Sequence, residues 1–425
     1  MSSKLKLGLL GFGTVGSAFY KLIEKSRTSG LFEDVEITVT KAAVRDLNKA
    51  RDAINVGFTN DPLEIVNDPD IDIVVEVMGG INPAKELIEK ALKNSKPVVS
   101  ANKEVLSIYG KKLTELAAQN GVDLLYEASV GGAMPVIRVL RESLRAEKIY
   151  SVVGILNGTT NYILTEMKHS HVSYNQALDK AMALGYAEPD PTNDVMGFDA
   201  RAKAAIIANV AFGSTLLVNE ILTQGINEIE QSDIEFADKN NFEIKPLVIL
   251  ETVSQDDKEK LSVRVHPALV EKSHPLAAVN GAFNAVFINC EKAGEMMLYG
   301  KGAGGDPTAV AILGDVLTVA HNLLEGTYSR TFKTSDIELL DQLEILSQYY
   351  LSVEVIDQPG VLARVAKVFG DNLVSISFME QHGFGSDARL VFITHKAKES
   401  SMRKTIKELV KLDCVRRVGT LLRIF

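Results

Sequence analysis

Lys6-Leu-Gly-Leu-Leu-Gly11-Phe-Gly13-Thr-Val-Gly16-Ser17 is the stretch on which the fold turns. Lys6–Leu10 reads as a buried strand, the glycines follow at once, and Ser17–Arg27 carries a helical pattern. The three glycines have separate tasks: a tight turn, close approach of backbone to a pyrophosphate, and close packing of helix on strand. The following helix presents unpaired N–H groups, so a dinucleotide is the expected occupant. Gly11, Phe12, Gly13, Thr14, Val15 and Gly16 are its expected contacts.

The same rhythm repeats downstream. A second strand, Val35–Val44, ends in Arg45-Asp46-Leu-Asn-Lys49-Ala-Arg51. An acid at this strand tip would select NAD through the ribose hydroxyl, whereas Arg45 backed by Lys49 and Arg51 suits a 2′-phosphate. NADP(H) is therefore expected over NAD(H), with Asp46 as the opposing signal. Strands at Ile71–Val77 and Pro97–Ser100 end in Met78-Gly79-Gly80 and Ala101-Asn102-Lys103, and helical patterns follow at Pro83–Lys93 and Glu104–Gln119. Such alternation implies a parallel, doubly wound sheet with its ligands beyond the carboxyl ends of the strands. Lys103 stands at such an end, where a substrate or catalytic role is expected.

Composition narrows the class. The 425 residues suffice for two or three domains. Forty-six basic against 55 acidic residues give a net charge of −9, which argues against nucleic acid or an anionic membrane as partner. Cys290 and Cys414 match no zinc or redox spacing. The start lacks the apolar region of a signal peptide, and no apolar run approaches the roughly 18–20 residues of a membrane span. A cytoplasmic enzyme fits these totals.

The middle of the chain holds the chemistry. The strand Val122–Tyr126 empties into Glu127-Ala-Ser-Val130-Gly-Gly132-Ala-Met134-Pro135. Its paired glycines permit backbone angles that aim several carbonyls at one spot, which suits a small hard cation or a plain domain crossover. From Ile149 the pattern changes. A strand at Ile149–Leu156, the caps of Asn157-Gly-Thr-Thr-Asn161, and helices at Tyr162–Lys168 and Tyr174–Leu184 lead to Gly185. There begins Gly185-Tyr-Ala-Glu188-Pro-Asp190-Pro-Thr-Asn-Asp194-Val-Met-Gly-Phe-Asp199-Ala-Arg-Ala-Lys203, which runs into the Ala-rich helix Ala200–Ala211. Asp199 and Lys203 are four apart and share a helix face. They are either a carboxylate and an ammonium for one substrate or an ordinary ion pair at an acidic helix start. Strands at Lys245–Val253, Leu261–Val265 and Asn284–Glu291 fall outside the earlier rhythm and suggest a mixed sheet. Tyr299-Gly-Lys-Gly302-Ala-Gly-Gly305-Asp-Pro307 then precedes a long apolar helix, Thr308–Leu324, read as the return into the nucleotide domain.

After a polar connector, Ser329–Ser347, with a helical stretch at Asp336–Leu346, the tail reads strand–helix–strand–strand–helix–strand. Its elements are Tyr349–Val355, Val361–Phe369, Val374–Glu380, Ala388–His395, Ser401–Leu412 and Val415–Ile424. Asp357-Gln-Pro-Gly360 follows the first strand, and the tail is similar to an ACT domain.

Taken together, Gly11–Gly16, Ala101–Lys103, Glu127–Pro135, Asn157–Asn161, Gly185–Lys203 and Gly300–Gly305 resemble the homoserine dehydrogenases of the monofunctional, regulated kind. The resemblance implies an α/β chain in three parts. A Rossmann-type doubly wound nucleotide domain would take residues 1–130 plus 300–330, and an α+β mixed-sheet catalytic and dimerisation domain 131–299. A ferredoxin-like ACT regulatory domain would take 349–425. It further implies interconversion of L-aspartate 4-semialdehyde and L-homoserine with a nicotinamide cofactor, on the way to threonine and methionine. Lys203 would be the general acid/base and Lys103 a second lysine near the reacting carbon and the cofactor. Glu188, Asp199 and Asp194 would hold the substrate. Arg45, Gly185 and Gly302 would be further cofactor contacts. Main-chain oxygens of Glu127, Val130, Gly132 and Met134 would hold a monovalent cation such as Na+. ACT domains pair and bind amino acids near the Pro-Gly turn, so L-threonine is the expected effector and a homodimer or tetramer the expected assembly. The alternative is that the tail serves only to hold subunits together. Another dehydrogenase of amino-acid metabolism, or a non-catalytic amino-acid sensor, are the competing classes.

Overall fold

The structure, a computed structural model, describes residues 3–28, 35–214, 216–329 and 337–425. In chain order the first elements are β1 (Ser3–Leu10), α1 (Thr14–Thr28), β2 (Val35–Ala43), β3 (Gly57–Thr59), α2 (Leu63–Val66), β4 (Ile73–Glu76), α3 (Ala84–Lys93), β5 (Val98–Ser100), α4 (Lys103–Gln119), β6 (Leu124–Leu125) and α5 (Val136–Arg138). Then come β7 (Ile149–Ile155), α6 (Gly158–Ser170), α7 (Tyr174–Ala183), α8 (Thr192–Val195), α9 (Phe198–Phe212), β8 (Leu222–Thr223), α10 (Gln231–Lys239), β9 (Phe242–Gln255), β10 (Lys258–Glu271), β11 (Phe283–Cys290), β12 (Glu295–Lys301) and α11 (Gly305–Glu325). The last are β13 (Glu338–Leu339), β14 (Leu346–Ile356), α12 (Val361–Asp371), β15 (Ile376–Phe384), β16 (Asp387–Thr394), β17 (Ala397–Lys398), α13 (Glu399–Leu409) and β18 (Val415–Ile424). The chain divides into two compact units, one of Met1–Tyr150, Ala202–Val218 and Asn284–Ile337, the other of Ser151–Arg201, Asn219–Phe283 and Glu338–Phe425.

The first unit is built on a parallel sheet of order β3-β2-β1-β4-β5-β6. Order reverses between β1 and β4, which opens a crevice at the carboxyl ends of those strands. Leu7, Leu9, Ile73 and Val75 are fully buried in one core with Phe19 and Ile23 of α1 and Ile312, Val316 and Val319 of α11. Helix α11 is long and apolar enough, by length and composition, to cross a membrane, contrary to the expectation that no such run exists. Ala309, Ile312, Leu313, Val316, Val319 and Ala320 are spent on this core, while Val310, Leu323 and Leu324 are exposed. β12 occupies Glu295–Lys301, where a glycine loop alone was expected, and pairs with β11.

The second unit carries a sheet in which β7, β9, β10, β18, β14, β16 and β15 are successive neighbours. Fourteen residue pairs join β9 and β10 antiparallel, while β10 and β18 pair in parallel at Ala268–Arg423 and Leu269–Ile424. The tail is thus continuous with the rest of its unit. Its own order, β18-β14-β16-β15, packs α12 and α13 over a core of Tyr349, Leu351, Val365, Phe369, Phe392 and Met402. The helical stretch expected at Asp336–Leu346 is absent. Glu338–Leu339 is a strand on β10 and Gln342–Glu344 a single 3₁₀ turn, while Asp336 lies outside the described residues. Asp341 caps that turn by accepting from the Leu343 N–H, a local bond that competes with a longer helix.

A buried ion-pair cluster ties α10 to the tail. Asp233 Oδ1 accepts from the Tyr350 hydroxyl at 2.7 Å and from Arg389 Nη2 at 2.8 Å, and Oδ2 from the Glu230 N–H at 3.0 Å. Removing one partner of such a cluster strands the other. Asp233→Ala is expected to destabilise the protein by about 3 kcal/mol in urea unfolding. A loss under about 0.5 kcal/mol would place the cluster with ordinary surface pairs.

Candidate active site

The glycine turn after β1 has the shape a pyrophosphate needs. Gly11 sits at φ 108°, and a side-chain carbon at Gly16 would lie 2.5 Å from the Gly11 carbonyl oxygen, so only glycine lets α1 start this close to the strand. At Gly13 the same position meets nothing within 4 Å. Free space over a backbone turn at a helix start fits the phosphates of a dinucleotide. Phe12 points away into the core, its ring 5.3 Å from that of Phe58. Arg45 is exposed just beyond β2. Asp46 is turned onto its own loop, where Oδ1 accepts from the Asn48 N–H at 2.9 Å. Arg51 braces the same loop by donating to the Asp46 and Lys49 carbonyls.

Beyond the strand ends lies a cavity of about 280 Å³ lined by Val15, Val77–Gly79, Ala101–Lys103, Ala128, Ser129, Gly131, Gly132, Lys203, Gly302, Ala303 and Thr308. It gathers five expected site residues, Val15, Lys103, Gly132, Lys203 and Gly302, in one place. Asn102 caps α4 through Oδ1, which accepts from the Val105 N–H at 3.2 Å, and this sets Lys103 at the rim. Gly132 is held at φ 59° with the Lys301–Gly302 backbone so near that a side chain could not fit.

The wall behind this cavity is polar. Glu76, fully buried at the end of β4, accepts from the Met78 N–H at 2.9 Å and from Asn102 Nδ2 at 3.3 Å through Oε1. Its Oε2 accepts from the Ser100 hydroxyl at 2.7 Å. Burial pushes its carboxyl up, and the Ser100, Met78, Asn102 and Gly79 donors oppose that rise. Sequence reasoning passed over Glu76. The signal was there: a lone acid closing the apolar strand Ile73-Val-Val-Glu76.

The loop expected to hold the cation is also buried. Glu127, Val130, Gly132 and Met134 are all sequestered from solvent, with Gly131 and Gly132 at positive φ. Two of the four carbonyls are engaged within the loop: the Glu127 oxygen accepts from the Val130 N–H at 3.3 Å and the Met134 oxygen from the Val136 N–H at 2.8 Å. Among the described residues no group of three His, Cys, Asp or Glu side chains could hold a metal ion.

In the second unit the acidic loop is organised around Asn157. Its Nδ2 donates to Asp194 Oδ1 at 2.7 Å and to Asp199 Oδ2 at 3.0 Å, which holds two carboxylates side by side. Its Oδ1 caps α6 by accepting from the Thr160 N–H at 2.9 Å. The sequence showed Asn157 only as a cap. Upstream, the Thr159 hydroxyl donates to the Tyr186 carbonyl at 2.6 Å, and the Tyr162 and Tyr186 rings stand 4.8 Å apart. Glu188 and Asp190 are exposed, so the four acids of the loop do not form one cluster. Gly185, at φ 75°, is exposed where α7 ends. Asp199 and Lys203 lie one turn apart on α9 and are each only 7% exposed, which disfavours an ordinary surface ion pair.

Family models match the chain in three places: homoserine dehydrogenase over residues 135–317, its NAD-binding domain over 11–127, and the ACT domain over 349–414. The homoserine dehydrogenase of Corynebacterium glutamicum is 40% identical, with 99% of this chain and 96% of that relative covered. The chain belongs to the homoserine dehydrogenase family. That of Synechocystis is 38% identical over 99% of both chains. A homoserine dehydrogenase structure from Thiobacillus denitrificans superposes with a TM-score of 0.93 at 34% identity, covering 100% of this chain and 99% of that one. A hyperthermophilic archaeal homoserine dehydrogenase in complex with NADPH aligns over 75% of this chain and 98% of its own, with a TM-score of 0.63 at 28% identity. Homoserine dehydrogenases are NAD(P)-dependent oxidoreductases acting on a CH–OH group in amino-acid biosynthesis, and this chain has their nucleotide-binding, catalytic and ACT regions.

One acid of this homoserine dehydrogenase site titrates near neutrality. Glu127 Oε1 accepts from the Ile137 N–H at 2.9 Å and Oε2 from the Arg138 N–H at 2.6 Å. Burial, and after it the charge of Asp315, pushes its carboxyl up from 4.5 to about 7. An acid raised in this way favours the folded state fully below its unfolded value, and that contribution is lost as pH rises through its folded value. Between pH 4.5 and about 7 the wild type is therefore expected to lose stability relative to Glu127→Gln. The difference reaches about 3 kcal/mol at most and is read by denaturant titration across that window. Identical pH profiles for the two proteins would refute the assignment.

Proposed function

We propose that this protein reduces L-aspartate 4-semialdehyde reversibly to L-homoserine with a nicotinamide cofactor, NADP(H) in preference to NAD(H). The observation that carries the proposal is the cavity beyond β4 and β5, where Lys103 and Lys203 face the same space as the Gly132 and Gly302 loops. The bound cofactor would supply a hydride to the aldehyde carbon. Negative charge then builds on the aldehyde oxygen, and an ammonium within reach stabilises it and gives up a proton. Lys203 is assigned that role and Lys103 a place near the reacting carbon. Asp199 and Asp194, joined by Asn157, with Glu188 of the same loop, would hold the substrate's amino and hydroxyl ends.

Gly11, Phe12, Gly13, Thr14, Val15 and Gly16 would carry the pyrophosphate, with Gly185 and Gly302 as further contacts. Exposed Arg45, with Asp46 folded back on its own loop, favours a 2′-phosphate, and the archaeal relative's NADPH supports the same choice. Main-chain oxygens of Glu127, Val130, Gly132 and Met134 would take Na+. The nucleotide domain is assigned to 1–130 plus 300–330, the catalytic and dimerisation domain to 131–299 and the regulatory domain to 349–425. The tail would bind L-threonine near Asp357–Gly360 and inhibit, within a cytoplasmic homodimer or tetramer.

Lys203→Ala is expected to lower kcat by about 10²–10⁴-fold with cofactor affinity nearly intact. Normal turnover in that variant would require another acid. Initial rates of aspartate-semialdehyde reduction are expected to be higher with NADPH than NADH at equal concentration, and to fall when L-threonine is added. Equal rates would remove the cofactor preference, and indifference to threonine would leave the tail a purely structural role.

A further inference from the structure

The cavity that holds Lys103 and Lys203 has no acid in its lining among the described residues. Immediately behind the wall, however, lies the Glu76 carboxylate, bonded to two of the residues that form that wall, Met78 and Asn102. Asn102 also donates to the Gly80 carbonyl at 2.8 Å, so one carboxylate braces both strand-end loops. The donors around Glu76 favour its ionised form, against the burial that favours the neutral one. The Ser100 hydroxyl oxygen already accepts from the Asn102 N–H at 3.1 Å, and its own proton goes to Glu76 Oε2. A protonated Glu76 would compete for that position.

An anion buried at the end of a strand, with neutral donors only, is costly to keep. Bracing alone does not need the charge, since Asn or Ser side chains pin loops throughout this chain. We infer that Glu76 is an electrostatic positioning residue: its buried charge favours the cationic, oxidised nicotinamide over the neutral, reduced one while it fixes the loops on either side. This rests on the reading of the cavity as the nicotinamide site. Oxidised and reduced rings differ by one unit of charge in nearly the same shape, so a fixed anion discriminates between them and a purely steric brace does not.

The test is a ratio of affinities, not a rate. Dissociation constants of NADP+ and NADPH are measured by protein and cofactor fluorescence for the wild type, Glu76→Gln and Glu76→Asp. The Gln variant keeps the acceptor for Met78 and Asn102, removes the charge and exchanges the acceptor for the Ser100 hydroxyl for an amide donor. It is expected to bind NADP+ about tenfold more weakly with NADPH changed by about twofold at most, and Glu76→Asp is expected to restore the wild-type ratio. Parallel weakening of both forms, or no change, would overturn the inference. Ser100→Ala leaves the carboxylate in place with one donor fewer, and is expected to keep the ratio in a folded protein even if the Gln variant does not fold. A ratio shifted in Ser100→Ala would overturn the inference as well. Failure of the wild type to bind either form would instead remove the reading of the cavity, and this inference with it.

Discussion

A buried carboxylate on a largely apolar helix closes the nucleotide unit. Asp315 of α11, 1% exposed, accepts from the Glu127 N–H at 2.8 Å and from Arg138 Nη2 at 3.0 Å. Helix α11 is recruited from nearly two hundred residues downstream because Ile312, Val316 and Val319 complete a core that the first third of the chain leaves open. That burial supplies the favourable energy but has no direction. Asp315 supplies the direction. By fixing the loop after β6 it sets where Gly132 meets Gly302, and hence the shape of the cavity they line.

The same economy governs the acidic loop. Two carboxylates held together repel, and a donor shared between them offsets part of that repulsion. Asn157 provides both amide hydrogens, and its remaining oxygen anchors it to the start of α6. The loop's far side is stiffened by Gly225, which passes so close to the Val195 carbonyl that a side chain would collide with it, and by the Ile226 N–H donating to that carbonyl at 2.9 Å. Next to these, Gln224 donates to the Leu421 carbonyl of β18 at 2.9 Å and accepts from Arg423 at 2.8 Å. Arg423 is itself paired with buried Glu399. The tail and the acidic loop are therefore linked by a short chain of directional bonds within one unit.

Local pattern made much of this legible. Alternating strands and helices, the spacing of Gly11, Gly13 and Gly16, and the strand–helix order of the tail all rest on contacts a few residues apart, which sequence periodicity records. Lys103, Lys203 and Gly302 could be named because their motifs are local too. Other features depended on partners far along the chain. Glu76 reads as an odd acid in an apolar strand until Ser100 and Asn102 are beside it. Asn157 reads as a cap until Asp194 and Asp199 arrive. The connector before β14 has helical composition, yet Glu338–Leu339 forms a strand because β10 offers an edge to pair with.

What the sequence by itself determined was the kind of chemistry: a dinucleotide turn, two lysines and a set of carboxylates, each written in residues that are neighbours or one helical turn apart. Only the tertiary structure decided which of them stand together. It grouped Lys103 with Lys203, joined Asp194 to Asp199 through Asn157, left Glu188 exposed and placed a buried carboxyl group behind the lysines. The reason is physical. Burial and long-range hydrogen bonds are properties of the packed chain, and no local pattern encodes the desolvation that gives a charge such as Glu76 its reach.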